Sequence, residues 1–183
     1  MDKKIEIEFR GLLAKSKHDY LKKFLDSHAK DLGQDDKDVY FFILPDKLVK
    51  VVNNVSKKDA ALVMKLSKIG KGADFEEIEI PIPLKSVNDA VKFLTSLNIT
   101  DNIMHSYQKR HNYIYKGVEI ALKYSDIWKY HIELEIVVDD KSKKQKAENK
   151  IKKIADELGV KLMTDQELVE FTKKVEESYN YEK

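Results

Sequence analysis

Apolar and polar residues alternate one by one over long stretches of this chain. Residues 4–10 read Lys-Ile-Glu-Ile-Glu-Phe-Arg, which puts Ile5, Ile7 and Phe9 on one face of a strand and Glu6, Glu8 and Arg10 on the other. Gly11 ends that strand. Over residues 16–32 the period lengthens to that of a helix: Tyr20, Leu21, Phe24, Leu25 and His28 share one side, and Gly33 is placed to cap its C-terminus. Residues 38–44 and 48–52 read as strands joined through the turn dipeptide Pro45-Asp46. Residues 61–66 and 75–80 form a second pair around a glycine-containing loop at 68–73. Pro81 and Pro83 punctuate the chain before a short helix that Ser86 would cap and that runs to Leu97. Strands return at 104–115, 118–123 and 130–138. From Lys143 the pattern is helical: Ile151, Ile154, Ala155 and Leu158 share a face, and Gly159 stops the helix. Thr164 then caps a last helix carrying Leu168, Phe171 and Val175, with residues 180–183 expected to fray. The sum is an α+β chain dominated by one large antiparallel sheet.

The length of 183 residues fits a single domain, 1–183, in which 1–140 hold the sheet with its flanking helices and 141–183 add C-terminal helices. The absence of cysteine excludes disulfides, thiolate metal sites and cysteine nucleophiles. No apolar run approaches the ~20 residues of a membrane span, and the start of the chain lacks a signal-peptide core, so a soluble, cytoplasmic protein is expected. Charged residues make up 36% of the chain, yet the net charge is only +2, so both signs are mixed and nucleic acid is not an expected partner. Only Arg10 and Arg110 are arginines among the 34 basic residues, and a planar guanidinium clamps phosphate better than an ammonium does.

Three strands repeat one device, glutamates two apart: Glu6-Ile-Glu8, Glu77-Ile-Glu79 and Glu133-Leu-Glu135. Each pair projects to a single face, with an apolar face behind it. Arg10 shares the face of Glu6 and Glu8. Lys65 opposes Leu62, Met64 and Leu66, and Lys123 and Glu119 oppose Val118, Ile120 and Leu122. One arrangement with this pattern is an open sheet whose charged face lies in water. The other is a barrel of about eight strands, which leaves no edges exposed, buries its apolar face under helices and lines its interior with both charges. Such a lining suits a polyphosphate with a divalent metal: carboxylates such as Glu6, Glu8, Glu77, Glu79, Glu133 and Glu135 are hard oxygen ligands for Mg2+ or Mn2+, and Lys and Arg neutralise phosphate oxygens.

These residues carry a family resemblance. Glu6-Ile-Glu-Phe-Arg10 resembles the ExExK signature of the CYTH (triphosphate tunnel) superfamily, with arginine for lysine. Residues 110–123, Arg-His-Asn-Tyr-Ile-Tyr-Lys-Gly-Val-Glu-Ile-Ala-Leu-Lys, running on to Glu133-Leu-Glu135, are similar to its class IV adenylyl cyclase branch. Leu62-Val-Met-Lys65 and Glu76-Glu-Ile-Glu79 resemble the central hairpin of the family, and Ala155-Asp-Glu-Leu-Gly159 its C-terminal helices. The resemblance implies an eight-stranded antiparallel tunnel with flanking helices that binds triphosphates with Mg2+ or Mn2+. Its members are inorganic triphosphatases, thiamine triphosphatases, RNA triphosphatases and adenylyl cyclases, and a homodimer is unremarkable among them. It implies metal at Glu6, Glu8, Glu133 and Glu135 and phosphate at Arg10, Lys50, Lys65 and Arg110, with Lys123 a further cation of the phosphate site. Glu6, Glu8, Arg10, Lys65 and Arg110 would carry the chemistry. Attack by water gives a hydrolase acting on inorganic triphosphate, ATP or thiamine triphosphate, and attack by a ribose hydroxyl gives a cyclase. Val52 and Gln108 stand where the family pattern has basic residues, and Lys123 where the cyclase branch has an aspartate. These departures imply weaker polyphosphate affinity and leave a non-catalytic nucleotide or polyphosphate binder as the alternative.

Other residues carry less. None of the histidines at 18, 28, 105, 111 and 131 has a metal-ligand spacing, and His131, on the face of Glu133 and Glu135, reads as a polar interior residue. Tyr113 and Tyr115 are expected to pack against helices and Trp128 to anchor a loop. The lysines of 141–153 read as the solvated face of a helix, and Gly70 and Gly72 lack the frame of a P-loop.

Overall fold

The computed structural model describes residues 5–66 and 74–181. Its strands are β1 (Ile5–Leu12), β2 (Lys30–Gln34), β3 (Lys37–Ile43), β4 (Leu48–Asn54), β5 (Asp59–Lys65), β6 (Asp74–Ile82), β7 (Ile103–Tyr115), β8 (Val118–Ser125) and β9 (Lys129–Val138). The helices are α1 (Lys15–His28), α2 (Val87–Ser96), α3 (Lys144–Glu157) and α4 (Asp165–Tyr181). Hydrogen-bonded neighbours run β7-β3-β4-β5-β6-β1-β9-β8, and β8 pairs back onto β7, so eight antiparallel strands close a ring. β7 makes closure possible through its length. Its first half pairs with β3 and its second half with β8, while β2 takes the remaining edge of the second half.

The outer surface of the barrel is apolar and covered by helices in two patches. Ile5 and Ile7 of β1, Tyr113 of β7, Val118 and Ile120 of β8, and Ile132 and Leu134 of β9 pack under Leu21 and Leu25 of α1 and Ile151 and Ile154 of α3. Most of these side chains are fully buried, each worth about 1.5–3 kcal/mol by transfer from water. On the other side, Phe42, Val49, Val51 and Ala60 of β3, β4 and β5 meet Val87 of α2. Tyr113 and Tyr115 face outward as expected, donating their hydroxyls to Asp26 of α1 and Glu157 of α3.

The helix expected over 16–32 is shorter. It ends at His28, and Lys30–Gln34 instead adds to β7, where backbone pairing with an open strand edge overrides the local helical pattern. Gly33 caps no helix; its φ of 87° serves the register shift in β2. Ser86 stands at the start of α2 without capping it through its side chain. Thr164 does cap α4: its Oγ1 accepts from the Glu167 amide while the Glu167 carboxylate accepts from the Thr164 amide. Gly159 ends the α3 segment with a φ of 62°. The loop at 68–73, with Gly70 and Gly72, lies outside the described residues, as do the final two residues of the expected fraying end. Among the described residues no helix is long and apolar enough to cross a membrane.

β1 is tied to the chain that follows α3 at a close backbone approach. Met163 N donates to the Arg10 carbonyl at 2.8 Å, and a Cβ on Gly11 would meet the Lys161 carbonyl oxygen at 2.6 Å and Val160 Cγ1 at 3.0 Å. Backbone on the far side cannot yield as a flexible side chain does. Gly11→Ala is therefore expected to lower stability by about 1–3 kcal/mol in urea denaturation, while Gly33→Ala, with no atom near its added methyl, acts only through its backbone angle.

Candidate functional site

Closing the ring turns the charged faces of β1, β7, β8 and β9 inward onto a cavity of about 900 Å³. The lining includes Glu6, Glu8, Arg10, Lys50, Lys65, Glu77, Glu79, Arg110, Lys123, Glu133 and Glu135, so every candidate site residue read from the sequence faces one space. Register sets who meets whom. Glu8 of β1 lies opposite Glu135 of β9, which lies opposite Glu119 of β8, making one row of three carboxylates. In the adjoining row Arg10 faces Glu133. In the next, His131 faces Lys123, which faces Arg110.

Like charges directly opposite repel, so each row depends on its neighbours. Glu133 anchors the cations. Its Oε1 takes Arg10 Nε and Lys123 Nζ, both at 3.0 Å, and its Oε2 lies 3.6 Å from Arg110. Burial pushes the Glu133 carboxyl up, but Lys123, Arg10 and Arg110 outweigh it and hold it well below the usual carboxylate range. For Lys123 the attraction of Glu133 does not compensate burial, and its ammonium is lowered to about 8. Lys65 bridges the other acids, 3.2 Å from Glu8, 3.6 Å from Glu6 and 3.5 Å from Glu77. Lys50 sits 3.7 Å from Glu77 and is lowered to about 8 by burial with Lys65 beside it. Glu8 also pairs with Arg10.

Glu6 and Glu8, although Lys65 reaches both and Arg10 reaches Glu8, also converge with Glu135. Each offers an oxygen within 4.8 Å of the others, an arrangement able to hold a metal ion. Glu133, Glu77 and Glu79 do not join that triad; the first two are taken up by cations. Burial, then the charges of Glu6 and Glu8, raises Glu135 to about 8, and burial raises Glu6 as well. These shifts mark a place short of positive charge.

Several lining residues were not singled out by the sequence. Asp35, at the β2–β3 junction, reaches the cavity and accepts from Asn54 and Asn112 while facing Arg110 at 3.5 Å and Lys57 at 2.9 Å. Burial works against its ionisation, but Lys37, Lys57 and Asn54 hold it at about 2. Nothing in the Asp35-Asp36 dipeptide distinguishes it from an ordinary turn. His131 is buried, its Nδ1 bonded to the Lys129 carbonyl and its pKa lowered to about 4 by burial and Lys123, so it is a neutral interior residue. Trp128 lies 5.9 Å beneath the Arg10 guanidinium and meets Phe171 of α4 edge-on. The charged lining is also not continuous: the inner faces of β3, β4 and β5 carry Val39, Phe41, Val52 and Val63.

No protein-family model matches the sequence, and no curated protein does. Solved structures do match. A Pyrococcus horikoshii protein superposes with a TM-score of 0.70 at 22% identity, covering 90% of this chain and 97% of its own. A candidate adenylate cyclase from Vibrio parahaemolyticus gives 0.64 at 14% identity over 85% and 89%. A candidate adenylyl cyclase from Hippeastrum, with a dominant triphosphatase activity, gives 0.60 at 15% identity over 87% and 89%. The chain has the triphosphate tunnel fold. Of the two sheet arrangements compatible with the alternation, the closed tunnel is the one formed, and its charged rows are interior.

The raised Glu135 carboxyl couples tunnel and stability. Between its ordinary pKa near 4.5 and about 8 the folded tunnel holds a proton there that the unfolded chain releases, so stability falls as pH rises through that window. Urea midpoints taken without metal from pH 5 to 8 are expected to decline in the wild type, and less steeply in Glu135→Gln.

Proposed function

We propose that this protein binds a triphosphate together with a divalent metal and processes it, as a triphosphate phosphohydrolase or an adenylyl cyclase-like enzyme. The observation that carries the reading is the juxtaposition of Glu6, Glu8 and Glu135 with Arg10, Lys50, Lys65, Arg110 and Lys123 around one cavity. Three convergent carboxylates fit Mg2+ or Mn2+, whose hard-oxygen preference they match. When bound there, the ion supplies shielding of the polyphosphate charge and Lewis-acid polarisation of a phosphoryl oxygen.

The chain's own groups do the rest. Arg10 and Arg110 present fixed guanidinium forks to phosphate oxygens, and Lys50, Lys65 and Lys123 add point charges. Glu133 positions Arg10, Arg110 and Lys123, and Glu77 positions Lys50 and Lys65. Cations already set in place cost no reorganisation when charge builds on the transferring group and its leaving oxygen. Asp35 and Asn112 hold Arg110 from behind. The dominant triphosphatase activity of the Hippeastrum neighbour favours hydrolysis. A non-catalytic binder is the second reading, favoured by the carboxylates that already occupy Arg10, Lys65, Arg110 and Lys123, since a phosphate must compete with them.

Release of phosphate and pyrophosphate from inorganic triphosphate, ATP and thiamine triphosphate, each with Mg2+ or Mn2+, tests the proposal. Metal-dependent turnover is expected, with Glu8→Gln lowering it by about 100-fold or more. Turnover indifferent to metal or to Glu8 would overturn the site. Thermal stabilisation by a triphosphate without turnover selects the binder.

A further inference from the structure

The resemblance implies metal at Glu133 as well as at Glu6, Glu8 and Glu135, but the structure divides these four. Among the described residues, the carboxylates that converge are Glu6, Glu8 and Glu135. Glu133 is surrounded by cations instead. Its Oε1 accepts from Arg10 Nε and from Lys123 Nζ, each at 3.0 Å, and its Oε2 faces Arg110 at 3.6 Å. None of these four side chains is more than 15% exposed, so no cation of the group has bulk water to retreat into.

Register holds the cations in place. Lys123 of β8 lies between Arg110 of β7 and His131 of β9, and Arg10 lies opposite Glu133. A divalent ion on Glu133 would sit ~2 Å from an oxygen, crowding the donors already bonded there. It would also add two positive charges where three cations share one anion, and a displaced Lys123 would be stranded in the tunnel wall. Towards the cavity, which it lines, Lys123 has more to give. Its ammonium carries three N–H donors, of which Glu133 takes one, so a phosphate oxygen can accept from it without breaking the pair.

We infer that the tunnel works with a single divalent ion, held at Glu6, Glu8 and Glu135, and that Lys123, fixed by Glu133, is a built-in cation serving the phosphate chain where a second ion would otherwise stand. The inference rests on the triphosphate reading above and sets its ion count. An ammonium on a fixed strand is present at every metal concentration and needs no octahedral shell around it. The acidic row takes the ion, and the basic cluster around Glu133 takes phosphate oxygens.

The test is equilibrium dialysis of the full chain against Mn2+ and imidotriphosphate, whose P–N–P bridges resist hydrolysis. Both are counted per chain, and the bound Mn2+ is recorded by electron paramagnetic resonance. One Mn2+ per chain is expected at saturation, without the broadening that a second ion nearby would cause. Lys123→Met keeps the length of the side chain and removes its charge. It should weaken imidotriphosphate about tenfold or more, while Mn2+ binding measured without imidotriphosphate stays within about threefold. Two Mn2+ per chain in the wild type would overturn the inference and leave the triphosphate site standing. So would a Lys123→Met protein that binds imidotriphosphate as the wild type does, or that loses both ligands alike. Retention of neither ligand by the wild type would overturn the site itself, and the inference with it.

Discussion

The carboxylate of Glu133 lies between three cations that come from three strands: Arg10 of β1, Arg110 of β7 and Lys123 of β8. Removed from water, each of those cations is costly, and the three together repel. One buried anion at their centre makes the arrangement tolerable, and removing one partner of a buried pair typically costs about 3–5 kcal/mol because the other charge is stranded. Glu133 is thereby a joint as well as a counter-ion, since it fixes how β1, β7, β8 and β9 present their charges. The same need explains Lys65, which stands among Glu6, Glu8 and Glu77 on the neighbouring arc.

Pairing is incomplete in one place, and the incompleteness has a consequence. Glu8, Glu135 and Glu119 form a row because alternation puts them inward and register puts them opposite one another. Lys65 and Arg10 neutralise Glu8, but Glu135 keeps its proton to about pH 8. A divalent ion bound there would compete with the proton for the same oxygens, so the proposed metal site would gain affinity as pH rises. The outer surface imposes the complementary constraint. Ile5, Ile7, Ile120, Ile132 and Leu134 must be covered by α1 and α3, which leaves the charged sides of those strands no direction but inward.

Much of this was legible in the sequence where a strand carries one kind of residue on each face. β1, β8 and β9 alternate cleanly, and their inward glutamates and cations are the ones the alternation selects. β3 was harder to assign, since Val39-Tyr-Phe-Phe-Ile43 is apolar on both faces and gives no sign of which side borders the cavity. The end of α1 was misplaced because residues 30–34 gain hydrogen bonds from β7, 80 residues away, which no local period reports. Glu133 and Glu135 are indistinguishable as letters two apart on one face. Only register, which sets Glu133 opposite Arg10 and Glu135 between Glu8 and Glu119, separates an anchor of cations from a member of the carboxylate cluster. Asp35 was invisible for a related reason, since its partners Asn54, Lys57, Arg110 and Asn112 arrive from two distant segments.

Glu6, Glu8 and Glu135 are proposed to form a cation site that works together with the phosphate-binding groups. Water-proton relaxation of Mn2+ added to the protein, with and without a triphosphate, measures that most directly. Mn2+ is expected to bind more tightly when the triphosphate is present, to gain affinity as pH rises toward 8, and to bind about 10–100-fold more weakly in Glu135→Gln while the protein remains folded. Mn2+ affinity unchanged by Glu135→Gln, or indifferent to the triphosphate, would contradict it.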